Sequence, residues 1–244
     1  SIGGKGEFTN NGVIAGNGAG NGADGLSAGS GIFLQGSGNL MLRVKAGEVL
    51  NIDDSISDSV GAGLMPASSY QQWNLVISGG GATLGDPNSY GKIILGGNNA
   101  IGGDTYISGA NVEINDLHAL GGGGVVALDD GGWVLNDGMT LIQNLTLDNG
   151  GGRIGVTGGT AMLSNDISGT GSISKIGSGA LVLNGSSSHV GDWYVSQGAL
   201  VLDADSRLGA STLNLDGGTL LFGAAFSDLR TISLTNRGGT IDNN

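Results

Sequence analysis

The chain has 244 residues, of which 52 are glycine and two are proline; hydrophobic residues make up 39% and charged residues 12%. This is too apolar for a disordered chain and too poor in proline for collagen or a Pro/Gly linker. The net charge of −12, from 21 acidic and nine scattered basic residues, excludes a nucleic-acid binder, and the absence of cysteine removes disulfides, thiolate metal sites and cysteine nucleophiles together.

In chain order, the Gly/Asn-rich stretch 16–31 comes first and reads as a loop. Its residues 19–27 fit eight of the nine positions of the calcium-binding nonapeptide G-G-x-G-x-D-x-U-x, with Ala19 where the first glycine belongs and Asp24 as the acidic ligand. That motif works by stacking copies and this one stands alone, so a loop is the expectation and calcium the alternative. Asp53, Asp54 and Asp58 form an acidic group beside turn signals and are an equal alternative for calcium. The segment 58–72 breaks the alternation and is expected to project as a loop, the kind of element that carries binding on a rigid scaffold. Asp116 to Leu120 makes a single turn at most. Asp129, Asp130 and Asp137 are a second acidic group, again beside turns.

Further on, short apolar alternations recur: Leu181 to Leu183, Ala199 to Leu202, Leu213 to Leu215, Thr219 to Phe222 and Ile232 to Leu234. Gly-Gly, Asn-Gly, Asp-Gly and Gly-Ser pairs separate them, so they read as very short strands joined by tight turns. An internal duplication underlies the pattern. Shifted by about 88 residues, GDWYVS at 191–196 falls on GDTYIS at 103–108, Leu208-Gly209 on Leu120-Gly121, and Gly179 to Leu183 on Gly91 to Leu95. The two copies span approximately 75–155 and 163–242, within one continuous segment covering 1–244. Many short strands, frequent glycine and an approximate repeat predict an all-β solenoid, with Leu, Val and Ile stacked inward as ladders. At about 20–24 residues per coil the chain makes roughly eleven coils.

The stretch 169–185, GTGSISKIGSGALVLNG, resembles the passenger-associated transport repeat of bacterial autotransporters, G-x-G-x-L-x-K-x-G-x-G-x-L-x-L-x-G. The continuation departs locally, with SSSHV at 186–190 where the family has Asn-x-Tyr. Looser likenesses lie at Gly31 to Leu40, at Val49 to Ile52 and in the opening stretch from Phe8 to Ile14. The resemblance implies a right-handed, single-stranded parallel β-helix displayed outside a Gram-negative cell. It implies a leader before the passenger and a C-terminal translocator barrel of the same polypeptide after it; the opening at Ser1 and the close at Asn244 read as cuts in a longer protein. The expected role is scaffold and adhesin, toward a host glycan, a matrix protein or a second copy. A non-binding stalk and a polysaccharide-degrading enzyme are the alternatives.

No catalytic group is expected. The two histidines, His118 and His189, lack a nucleophile context, and His189 stands where the repeat has a turn residue, so a surface corner is expected for it. Of the aromatics, Tyr70, Trp73 and Trp193 are the candidates for an exposed row that stacks on sugars, against the alternative of packing at corners. Alternation sets Trp193 and Tyr194 on opposite faces, and the duplication pairs Tyr194 with Tyr106.

Overall fold

The computed structural model describes residues 2–3, 7–8, 31–64, 72–80, 89–122, 124–224 and 230–243. They form a parallel β-solenoid of about nine turns. Among the described residues there is no α-helix, and no helix is long and apolar enough to cross a membrane.

The first unit comprises Ser1–Tyr106 and Ile114–Val125. Its strands are β1 (Ile2–Gly3), β2 (Glu7–Phe8), β3 (Ile32–Leu34), β4 (Gly38–Lys45), β5 (Val49–Ile52), β6 (Ile56–Asp58), β7 (Trp73–Gly80) and β8 (Gly91–Leu95). They pair in three parallel ladders, β1-β4-β7, β2-β5-β8 and β3-β6. Strict alternation explains the core. In β5 and β8, Leu50 faces Ile93 and Ile52 faces Leu95, and all four are buried.

The duplicated region continues with β9 (Thr105–Ser108), β10 (Ala110–Ile114), β11 (Val126–Asp129), β12 (Gly131–Leu135), β13 (Thr140–Leu141), β14 (Leu145–Leu147), β15 (Gly152–Val156), β16 (Thr160–Leu163) and β17 (Ile167–Gly169). Next come β18 (Ile173–Ile176), β19 (Ala180–Leu183), β20 (Trp193–Val195), β21 (Ala199–Leu202), β22 (Leu213–Leu215), β23 (Thr219–Phe222), β24 (Ile232–Leu234) and β25 (Thr240–Asp242). The second unit comprises Ile107–Glu113 and Val126–Asn244. Within it run the ladders β11-β14-β17, β12-β15-β18-β20-β22-β24 and β13-β16-β19-β21-β23-β25. Leu141, Leu163, Leu183 and Leu202 stack in one inward column, and Leu181, Leu200 and Leu220 in another. Each such leucine contributes about 1.5–3 kcal/mol by leaving water.

The coil count is lower than the eleven expected, and the register shows why. Where coils are bare the repeat is short: Val126 faces Leu145 and Trp193 faces Leu213. In the first unit Leu42 faces Ile77 and Leu50 faces Ile93. Those turns of the solenoid carry extra residues between their strands, so the same chain length makes fewer of them.

Among the described residues one helical feature appears, a single 3-10 turn at Asp205–Leu208. It closes with Arg207 N–H donating to Ala204 O and Gly209 N–H to Ser206 O. At the matching positions of the earlier copy, Ala119 N–H donates to Asp116 O and Gly121 N–H to His118 O. Leu120 and Leu208 are both buried under these turns. Gly121 and Gly209 both have positive φ, 79° and 68°, and an added Cβ would lie 2.6 Å from Ile101 O in the first and 2.3 Å from His189 O in the second. Only glycine fits at either place.

Candidate functional site

The acidic groups are distributed along the coils as acceptors. Asp58, expected in a projecting loop, is fully buried. Its Oδ1 accepts from Val60 N–H at 3.0 Å and Gly61 N–H at 2.6 Å; its Oδ2 accepts from Trp73 N–H at 2.8 Å and Gly102 N–H at 3.0 Å. A carboxylate can leave water when its lone pairs are met this fully. It therefore fastens both ends of the segment 58–72 and the following coil to one point. Asp53 is exposed and accepts from Asn51 Nδ2 at 3.0 Å, while Asp54 is half-buried. Asp24 lies outside the described residues. Among the described residues no group of three or more His, Asp or Glu side chains is placed to hold a metal ion.

The second acidic group is likewise split between separate corners. Asp129 Oδ1 accepts from Gly150 N–H at 2.8 Å and Asp137 Oδ1 from Thr160 N–H at 2.7 Å, each on the next coil. Asp130, in the left-handed region at φ 55°, pairs with Arg153 at 2.9 Å. Asn74, Asp104 and Asn144 repeat the device, accepting from the N–H of Asp104, Val125 and Asp166. These corner side chains staple coil to coil.

Trp193 and His189 also lie where the sequence did not place them. Trp193 is completely buried, stacked in register between Ile173 and Leu213. Alternation puts it inward and leaves Tyr194 half-exposed, so it offers no surface for a sugar. His189 is not at a surface corner but fully buried. Its Nε2 lies 2.7 Å from Gly171 O, its Nδ1 2.9 Å from Ser211 Oγ, and its ring meets Trp193 edge-on at 6.1 Å. His118 is exposed, with Nδ1 3.2 Å from Asp116 Oδ1.

Trp73 is half-buried at the start of β7, its ring lying over Gly38 of the preceding coil, where an added Cβ would come within 3.0 Å. Tyr70 lies outside the described residues, as do residues 16–30 of the Gly-rich loop. Tyr106 is exposed on β9. It does not share a position with Tyr194, because β9 belongs with β11, β14 and β17, and β20 with β18 and β22. The sequence offset is not a whole number of coils.

Lys175 is the residue the sequence reading passed over. It occupies an inward place in the column Trp133, Ile154, Lys175, Val195, Leu215 and is fully buried. Its Nζ curls to the corner and donates to the carbonyls of Ile176 and Gly177, both at 2.9 Å, and of Gln197 at 3.1 Å. Burial lowers its pKa to about 8. The readable signal was parity: Ile173 and Lys175 must share the inward face of β18.

No described side chains converge on a catalytic constellation. The surface offers repetition instead. On the outward face of β16, β19, β21 and β23, Thr160, Ala180, Ala199 and Thr219 form one register column. Met162, Val182, Val201 and Leu221, all half-buried, form the next. Over these four strands the strip carries no charge in a chain of net charge −12, and on β25 the second column continues with Asp242.

Part of the chain is similar to a curated protein, the adhesin BmaC autotransporter of Brucella suis biovar 1 (strain 1330), at 33% identity over 128 residues. The match covers 51% of this chain and 4% of that protein. Fold and similarity together fit an autotransporter passenger. No family model matches the chain, and no solved structure matches it.

Proposed function

We propose that this chain is a segment of a cell-surface autotransporter passenger, serving as β-helical scaffold and adhesion surface. The observation that carries the reading is the register-locked stacking of outward columns, repeated strand after strand at about 4.8 Å. Such a face binds through many weak, evenly spaced contacts that add by effective concentration. Hydroxyls and aliphatic groups on this strip suit a glycan or a matrix protein, and the same strip can meet its counterpart on a second copy. The adhesin similarity supports the reading. The proposed role is non-enzymatic: it is supported by the similarity to an adhesin, and the carboxylates of Asp58, Asp129 and Asp137 serve as acceptors for main-chain N–H groups. Display on the cell exterior would rest on a translocator barrel of the same polypeptide.

The test is a plate of immobilised glycans, matrix proteins and the chain itself, with and without calcium. Saturable retention without release of reducing sugar ends is the expected result. Replacing Val182 and Val201 by lysine should lower that retention. Release of sugar ends would make the protein an enzyme, and silence in every well would make it a stalk.

A further inference from the structure

His189 bridges three successive coils of the second unit. Gly171 lies on the coil before it and Ser211 on the coil after it. A buried imidazole costs more to take out of water than an aliphatic side chain, and its two hydrogen bonds must offset that cost.

The proton count at this point has two solutions. Gly171 O can only accept, so Nε2 carries a hydrogen. In the neutral ring Nδ1 is then an acceptor, and its donor is the Ser211 hydroxyl at 2.9 Å. That hydroxyl has one proton, and Leu208 O, 2.8 Å away, competes for it. In the imidazolium Nδ1–H donates to Ser211 Oγ, and the hydroxyl proton turns to Leu208 O. The hydrogen-bond set accepts either state, whereas the surrounding apolar groups, Trp193 above all, accept only the neutral one.

We propose that His189 is a proton-sensitive joint of the solenoid interior: neutral, it ties the coils of Gly171 and Ser211 together, and charged, it loosens them. The charged groups on the packed elements are Asp192 on its own turn, Asp166 on the preceding coil, and the ion pairs Asp203–Arg207 and Asp205–Arg230 on the following ones. Arg207 reaches Gly185 O and Arg230 reaches Ser211 O, and each is offset by its own carboxylate. Burial is the largest influence on the ring and holds its pKa below the ordinary 6.5, against the Gly171 carbonyl and Asp192. The unfolded chain therefore takes up the proton first as pH falls. Stability from this joint is present above about pH 6.5 and is lost as pH falls through the folded value.

The chain has two histidines, so a proton NMR titration resolves both. One imidazole is expected to titrate below pH 6.5 and to vanish from the spectrum of His189→Asn. The urea midpoint of the wild type should drop between pH 7.5 and pH 5, together with quenching of Trp193 by the imidazolium. His189→Ile, which puts an aliphatic side chain in place of the imidazole, should remove most of that drop, and His118→Asn should keep all of it. A buried imidazole that titrates at or above 6.5 would overturn the proposal. So would a urea midpoint that falls equally with pH in wild type and His189→Ile.

Discussion

Asp58→Ala removes the acceptor of four main-chain N–H groups at once. Val60 is half-buried and Gly61 exposed, so both can find water when the carboxylate is gone. Trp73 N–H and Gly102 N–H lie on half-buried stretches of different coils and cannot do so as readily. Two lost charge-assisted bonds at about 1.5–3 kcal/mol each set the loss at about 3–6 kcal/mol, a range that overlaps the cost of breaking a buried charge pair. Asp58→Asn should fall between, since its amide oxygen can keep one pair of bonds while its NH₂ faces the other pair as donor against donor. The assay is urea unfolding followed by tryptophan fluorescence, joined to hydrogen exchange at Val60, Gly61, Trp73 and Gly102. Exchange at those four amides should accelerate before the rest of the first unit opens, because stability in a solenoid is a sum over neighbouring coils. A loss under about 1 kcal/mol, or unchanged exchange at Trp73 and Gly102, would refute the view of Asp58 as the fastening of segment 58–72.

Three further outcomes are expected. Lys175 holds its proton less tightly when folded than when unfolded, with a pKa of about 8 against 10.5. Wild-type stability should therefore rise relative to Lys175→Met as pH goes from about 8 to 10.5, and equal slopes for the two in urea melts across that window would count against the buried ammonium. Gly209→Ala puts a Cβ against His189 O at a residue with positive φ, and should cost about 2 kcal/mol or more in urea unfolding. His118→Ala removes only an exposed contact with Asp116 and should change stability by less than about 0.5 kcal/mol.

The sequence by itself determined the short strands, the turns between them and the two-residue alternation of their side chains. Period-two alternation placed Leu181, Leu183, Leu200 and Leu202 inside, and the same parity separated Trp193 from Tyr194. The glycines of the Leu-Gly turns marked where the backbone needs positive φ. These are local properties, carried by a residue and its immediate neighbours. What lies across a coil was decided only by the tertiary structure. Asp58 meets Gly102, His189 meets Gly171 and Ser211, and Lys175 meets Gln197, each pair separated by one turn of the solenoid. An aspartate beside Ser-Asp-Ser-Val-Gly has the composition of a solvated turn whether or not four N–H groups close over it. A histidine in a Ser-rich corner reads as surface until the next coil covers it. The coil count failed for the same reason: residues inserted between strands lengthen a turn without changing the alternation on either side. Stacking sets burial and hydrogen-bond partners through the coil-to-coil register, and that register is fixed by how much chain each turn spends outside its strands.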